Sequence, residues 1–146
     1  MNLKKIISII VFMFITVGVV NSQCNQSLVT SCCTNINSSS MFLQQYRAKL
    51  GAQKASQDIP VARFSVLLNK GNIYRFDVCS ALDYEGEAIL QLYDGNKLIA
   101  STFHNASKNN FKAFEFSCSK SAIYKIYISF LDGKQGCAVG ILSMKK

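Results

Sequence analysis

Ala122-Ile123-Tyr124-Lys125-Ile126-Tyr127-Ile128-Ser129-Phe130 decides the fold. In an extended chain Ala122, Tyr124, Ile126, Ile128 and Phe130 fall on one side, and Ile123, Lys125, Tyr127 and Ser129 on the other. A period of two, carried by β-branched and aromatic side chains, marks a strand with one buried and one wet face. The same alternation recurs upstream. Phe64, Val66 and Leu68 alternate with Arg63, Ser65 and Leu67, and Tyr74, Phe76 and Val78 with Arg75, Asp77 and Cys79. Ala88, Leu90 and Leu92 alternate with Ile89, Gln91 and Tyr93, and Phe114, Phe116 and Cys118 with Ala113, Glu115 and Ser117. Turn residues separate these runs: Lys70-Gly71, the loop at residues 83–86, the hairpin signal Asp94-Gly95-Asn96, the polar stretch 104–110 and Asp132-Gly133-Lys134. With a return strand at residues 97–103 and a closing strand at 137–142, the pattern predicts seven to eight short strands. That is an all-β fold, an antiparallel β-sandwich of jelly-roll-like type over residues 59–146.

Upstream of the single proline, Pro60, the character changes. Phe42, Leu43, Tyr46 and Leu50 recur at helical spacing behind Ser39 and Ser40, which predicts one short helix over about residues 41–56. Residues 23–40 are rich in Ser, Thr and Asn and hold three cysteines, so they read as a polar loop tied down by disulfides. Residues 23–58 thus form a segment distinct from the sandwich. Before it, Lys4 and Lys5 precede an apolar run from Ile6 to Val20 and then Asn21-Ser22-Gln23. This is the order of a secretory signal peptide, residues 1–22, cut before Gln23. A retained anchor would need roughly 20 apolar residues and a positive stop signal. Lipidation of Cys24 would need a small residue in front of it, where Gln23 stands.

Export sets the reading of charge and cysteines. Removing Lys4 and Lys5 from the 16 basic residues leaves 14 against 8 acidic ones, a net +6. The cations are scattered, which describes a generally basic surface suited to anionic polymers, lipids or acidic glycans, and not a nucleic-acid groove. The six cysteines, Cys24, Cys32, Cys33, Cys79, Cys118 and Cys137, form an even set of disulfide candidates. A Cys79–Cys118 bridge is expected, because each residue ends a strand, with Cys137 tied to Cys24, Cys32 or Cys33.

Tyr74-Arg75-Phe76-Asp77-Val78, Leu90-Gln91-Leu92-Tyr93-Asp94-Gly95 and Ser121-Ala122-Ile123-Tyr124-Lys125-Ile126-Tyr127-Ile128 carry a family resemblance. Residues 70–142 resemble the bacterial pre-peptidase C-terminal family of secreted β-sandwich modules. The resemblance implies a sandwich that aids secretion, folding or surface binding beside an exported enzyme. Related domains bind calcium or matrix proteins. This chain departs from the pattern in having no attached enzyme, cysteines at 79, 118 and 137, and no aspartate-rich cluster.

Candidate sites are few. Asp83, Glu85 and Glu87, with Asp94 later, are the carboxylates that could gather around calcium, although their spacing lacks a regular acidic repeat; no other cofactor is implied. Tyr93 and Tyr127 fall on the wet face by alternation and Tyr84 in a loop, so these three are the candidates for stacking on a sugar. His104 is the only histidine, and no Gly-x-Ser-x-Gly elbow accompanies it, so no catalytic residue is assigned. Asn25, Asn37 and Asn105 stand in N-glycosylation sequons. The chain therefore reads as an extracellular or periplasmic non-enzymatic binding module. Its expected partner is a surface protein or polysaccharide, without nucleic acid and without a membrane span after cleavage. The alternatives are a structural or assembly component of the envelope or secretion machinery, and a small hydrolase with an unrecognised site.

Overall fold

A computed structural model describes Cys24 and residues 26–146. The expected signal peptide, and the sequon at Asn25 in its first residue, lie outside the described residues. The described elements are α1 (Gln26–Cys33), β1 (Ser40–Leu50), β2 (Ala62–Leu68), β3 (Ile73–Ser80), β4 (Ala88–Asp94), β5 (Lys97–Ser101), β6 (Phe103–His104), β7 (Asn109–Asn110), β8 (Ala113–Ser117), β9 (Ala122–Phe130), a 3-10 turn at Leu131–Gly133, and β10 (Gly136–Lys145).

Eight strands build two four-stranded sheets, in the orders β1-β10-β3-β8 and β2-β9-β4-β5, and β6 and β7 form a separate short ribbon. Every pairing is antiparallel. The pairs β1·β10, β2·β9, β3·β8 and β4·β5 are nested, like one long hairpin whose tip is the β4–β5 turn. Rolling that hairpin brings β10 beside β3 and β9 beside β4. This is the jelly roll, in which one face of each sheet is buried against the other.

The alternation in sequence is the alternation in space. Phe76, Val78, Leu90, Leu92, Tyr124, Ile126, Ile128 and Phe130 all point between the sheets and are buried, together with Leu68, Tyr74, Ala88, Ala138 and Leu142. Gly95 opens the β4–β5 turn with φ at 59°, a conformation that costs glycine nothing. Gly136 has another role. A Cβ there would run into the ring of Phe130, so the small residue lets β10 close over the end of the core.

Three expectations fail upstream of Pro60. Residues 40–50 are a strand, not part of a helix over 41–56. Tyr46, Ala48 and Leu50 join the core while Arg47 and Lys49 are exposed, which is strict alternation. A β-bulge between Phe42 and Gln44 inserts Leu43 and shifts the parity, so the apolar positions imitate a helical spacing. The sandwich accordingly begins at Ser40, and residues 23–58 are not a separate segment: β1 pairs with β10 along nearly its whole length. The short helix is instead α1, within the stretch expected to be a loop. Its sequence Gln-Ser-Leu-Val-Thr-Ser-Cys-Cys has little helical propensity. Tertiary contacts hold it, because Val29 and Cys32 pack on Val139 and Ile141 of the outer face of β10.

Candidate functional site

The two outer faces of the sandwich are unlike. On sheet β1-β10-β3-β8, α1 lies across the outward side chains and two disulfides fasten it. Cys24 joins Cys137 of β10, and Cys32 joins Cys79 of β3. Further along the same face Arg75 donates hydrogen bonds from Nε to both carboxylate oxygens of Asp77, at 3.2 and 3.0 Å, and Asp77 is buried. This side is roofed and internally paired.

Cys79 is therefore not bonded to Cys118, and Cys33 and Cys118 are free thiols. The reason is register. Strands β3 and β8 are direct antiparallel neighbours, with Ile73 opposite Ser117. Cys118 exchanges backbone hydrogen bonds with Gly71 and Asn72, at the far end of β3 from Cys79. About 20 Å of strand separates the two cysteines. Cys79 also faces outward to α1, whereas Cys118 is a core residue whose thiol lies 3.2 Å from the Lys120 carbonyl oxygen. Two disulfides are the mark of a chain that matures outside the reducing cytosol.

The outer face of sheet β2-β9-β4-β5 carries no such roof among the described residues. Arg63, Tyr127, Gln91 and Ser101 stand in one row across its four strands, and Ser65, Lys125, Tyr93 and Leu98 in the next. Tyr93 and Tyr127 meet with ring centroids 4.7 Å apart and planes tilted by 34°. The guanidinium of Arg63 lies over the Tyr127 ring, 5.3 Å from its centroid. The Tyr93 hydroxyl reaches the Gln91 amide oxygen at 3.4 Å. Beside this cluster is a depression of about 600 Å³, floored by Ile89, Gln91 and Ser129 and rimmed by Ile59, Leu98, Phe103, Asn105, Lys108 and Asp132. The β6–β7 ribbon supplies Phe103 and the nearby Asn105 and Lys108 to that rim.

Of the aromatic candidates, the fold brings Tyr93 and Tyr127 together and leaves Tyr84 apart. Tyr84 belongs to a second depression with Asp83, Glu85, Lys134 and Gln135, and the Lys49 ammonium stands 6.0 Å from its ring centroid. The carboxylates do not gather either. Glu87 pairs with Lys112 at 3.1 Å and Asp94 with Lys120 at 2.7 Å, so two of the four already have a lysine. Among the described residues no three metal-ligating side chains converge. His104 meets the Phe111 ring edge-on at 5.1 Å, on an exposed ribbon. Sequence reasoning did not anticipate Arg63, Gln91, Ser101 or Ser129 as parts of one surface. The alternation already placed Arg63, Gln91 and Ser129 outward; cross-strand register, which joins them and Ser101 into rows, is not written in any one strand.

Among the described residues no helix is long and apolar enough to cross a membrane. No family model matches the chain, and no curated protein matches it in sequence. Among solved structures it is similar to PliG of Aeromonas hydrophila, a periplasmic lysozyme inhibitor of g-type lysozyme, with a TM-score of 0.49 and 9% identity over 73% of this chain and 86% of that one. At that level the likeness carries no argument about ligand or partner.

Proposed function

We propose that the chain is an exported, non-catalytic binding module that engages a cell-surface protein or polysaccharide through the outer face of sheet β2-β9-β4-β5. One observation carries this reading: α1 is stapled over one outer face, and the other is left open with a depression and a tyrosine pair at its centre. A sandwich that needed only to fold would gain from covering both faces or from making the open one plainly polar. Here Ile89, Leu98 and Phe103 sit beside Gln91, Ser101 and Ser129, the mixture of apolar wall and placed polar groups that ligand sites use. The expected resemblance to pre-peptidase C-terminal modules agrees with a binding role and adds no ligand.

The test is to fill the depression. Ser129→Trp puts a large ring on its floor from a central strand whose inner side is untouched. Binding of the purified protein to the envelope fraction of the producing cells should fall at least tenfold, with thermal unfolding unchanged within a few degrees. Envelope binding that survives in a folded Ser129→Trp protein removes this face from the function.

A further inference from the structure

We infer that the open face of sheet β2-β9-β4-β5 takes an acidic polysaccharide, with Arg63 and Lys125 as its anion-binding groups. The inference rests on the reading of that face as the binding surface and adds the ligand class. It begins from what covers Tyr127. A neutral sugar would need a bare ring face to stack on. Arg63 already lies over Tyr127, and Tyr93 packs against the same ring. The tyrosine pair therefore acts as a pedestal that holds a guanidinium outermost. A guanidinium so held keeps its planar fork for a carboxylate or sulfate and loses little entropy in using it. Among the described residues its one hydrogen-bond acceptor, the Val61 carbonyl oxygen, is a long 3.5 Å away.

Lys125 stands one row along and one strand over. It is opposite Ser65 while Arg63 is opposite Tyr127, a diagonal separation of roughly 7–8 Å. Neither cation is in an ion pair among the described residues, and both project from the open face. The charge is not balanced locally either. Asp94, the acidic residue of these four strands, is already held by Lys120, and Asp132 alone brings a carboxylate to the lining of the depression, where Lys108 also stands. Two unpaired cations on an open face are poised for an anionic ligand.

The neighbours favour a glycan over an acidic protein. Ser65, Gln91, Ser101 and Ser129 share the face with the cations, and they offer hydroxyls and an amide at the strand spacing of about 4.8 Å. Serine and lysine are depleted at the centre of protein–protein interfaces. The large exposed apolar pair, Leu67 and Ile123, sits beyond the Lys125 row, toward one end of the face.

The experiment uses the folded, oxidised protein in affinity electrophoresis and titration calorimetry. The probes are polygalacturonate, heparin, and fully methyl-esterified polygalacturonate as the uncharged version of the first. Retention by both polyanions, absence of retention by the ester, and at least a tenfold loss of affinity in Arg63→Gln/Lys125→Gln support the inference. The control is Arg47→Gln/Lys49→Gln, which removes the same charges from the outward side of β1 on the opposite sheet and should change affinity less than twofold. Equal losses in the two double variants overturn the inference, because they describe a diffuse cationic surface. Failure to bind either polyanion also overturns it. If Ser129→Trp still lowers envelope binding in that case, the face remains the binding surface and its partner is not an acidic polysaccharide. If it does not, both readings fall.

Discussion

Replacing Cys32 and Cys79 together by alanine opens the bridge that pins the C-terminal end of α1 to β3. The bridge closes a loop with a sequence separation of 47 residues. Loop-closure entropy for that length corresponds to about 4 kcal/mol, chiefly by restricting the unfolded chain. A domain of this size has a total stability of about 5–15 kcal/mol, so the change is a large fraction of the whole. It corresponds to a drop in melting temperature of roughly 15 °C. Urea unfolding followed by tyrosine fluorescence and circular dichroism measures the loss, and the slope of the transition reports whether the native surface has changed. A second signature is local. The Cys24–Cys137 bridge still tethers α1 at its start, so the helix should lose hydrogen-exchange protection while β9 and β10 keep theirs. A loss below about 1 kcal/mol, with α1 still protected, would refute the reasoning: it would mean that the packing of Val29 on Val139 and Ile141 holds the helix without the cross-link.

Three further outcomes are expected. Under native conditions a maleimide should label Cys33, which is partly exposed, and should reach the buried Cys118 only in denaturant; mass spectrometry of the labelled peptides reads both, and a Cys118 lost to a disulfide would contradict the register of β3 and β8. Gly136→Ala should cost about 1–3 kcal/mol in urea unfolding, because the new methyl must displace the buried Phe130 ring; a neutral effect would mean that this end of the core is loosely packed. Burial pushes both the Tyr46 and Tyr124 hydroxyls up to about 12, and at Tyr124 the hydrogen-bonding contact with Cys118 adds to the effect. The unfolded chain gives up those protons near its ordinary value of about 10. Between the two values the native state holds more protons, so stability should be level below pH 10 and fall as pH rises toward 12; urea midpoints that stay constant to pH 12 would contradict that burial.

Most of the sandwich was legible because burial enforces a period of two. Every inward residue named from alternation in β2, β3, β4, β8 and β9 lies in the core or packs against it. The hairpin at Asp94-Gly95-Asn96 was legible because its glycine needs a left-handed conformation. What could not be read depends on partners distant in sequence. β1 was concealed by a bulge, α1 by its dependence on β10 and two disulfides, and the cysteine pairing by the antiparallel register of β3 and β8. The outer face of sheet β2-β9-β4-β5 was half legible. Tyr93 and Tyr127 were correctly placed outward, but the Arg63 that caps Tyr127 comes from a strand some sixty residues upstream. Only register makes them neighbours.

The nested pairing of the strands also orders the way the chain can assemble. In the long hairpin, β4 and β5 are joined by two residues, while β1 and β10 are joined through nearly the whole domain. Contacts far apart in sequence form slowly, because the loop between them must close before they contribute. The topology therefore favours zippering from the Asp94-Gly95-Asn96 tip outward to β1 and β10. The two disulfides belong to different layers of that process: Cys24, just before α1, is bonded to Cys137 of β10 in the outermost pair, and Cys32 of α1 to Cys79 of β3, one layer out from the tip. The first is a latch on a finished roll, whereas the β3 partner of the second is in place earlier. Closure of Cys24 with Cys137 is accordingly favoured only after β1 and β10, the two ends of the roll, have met.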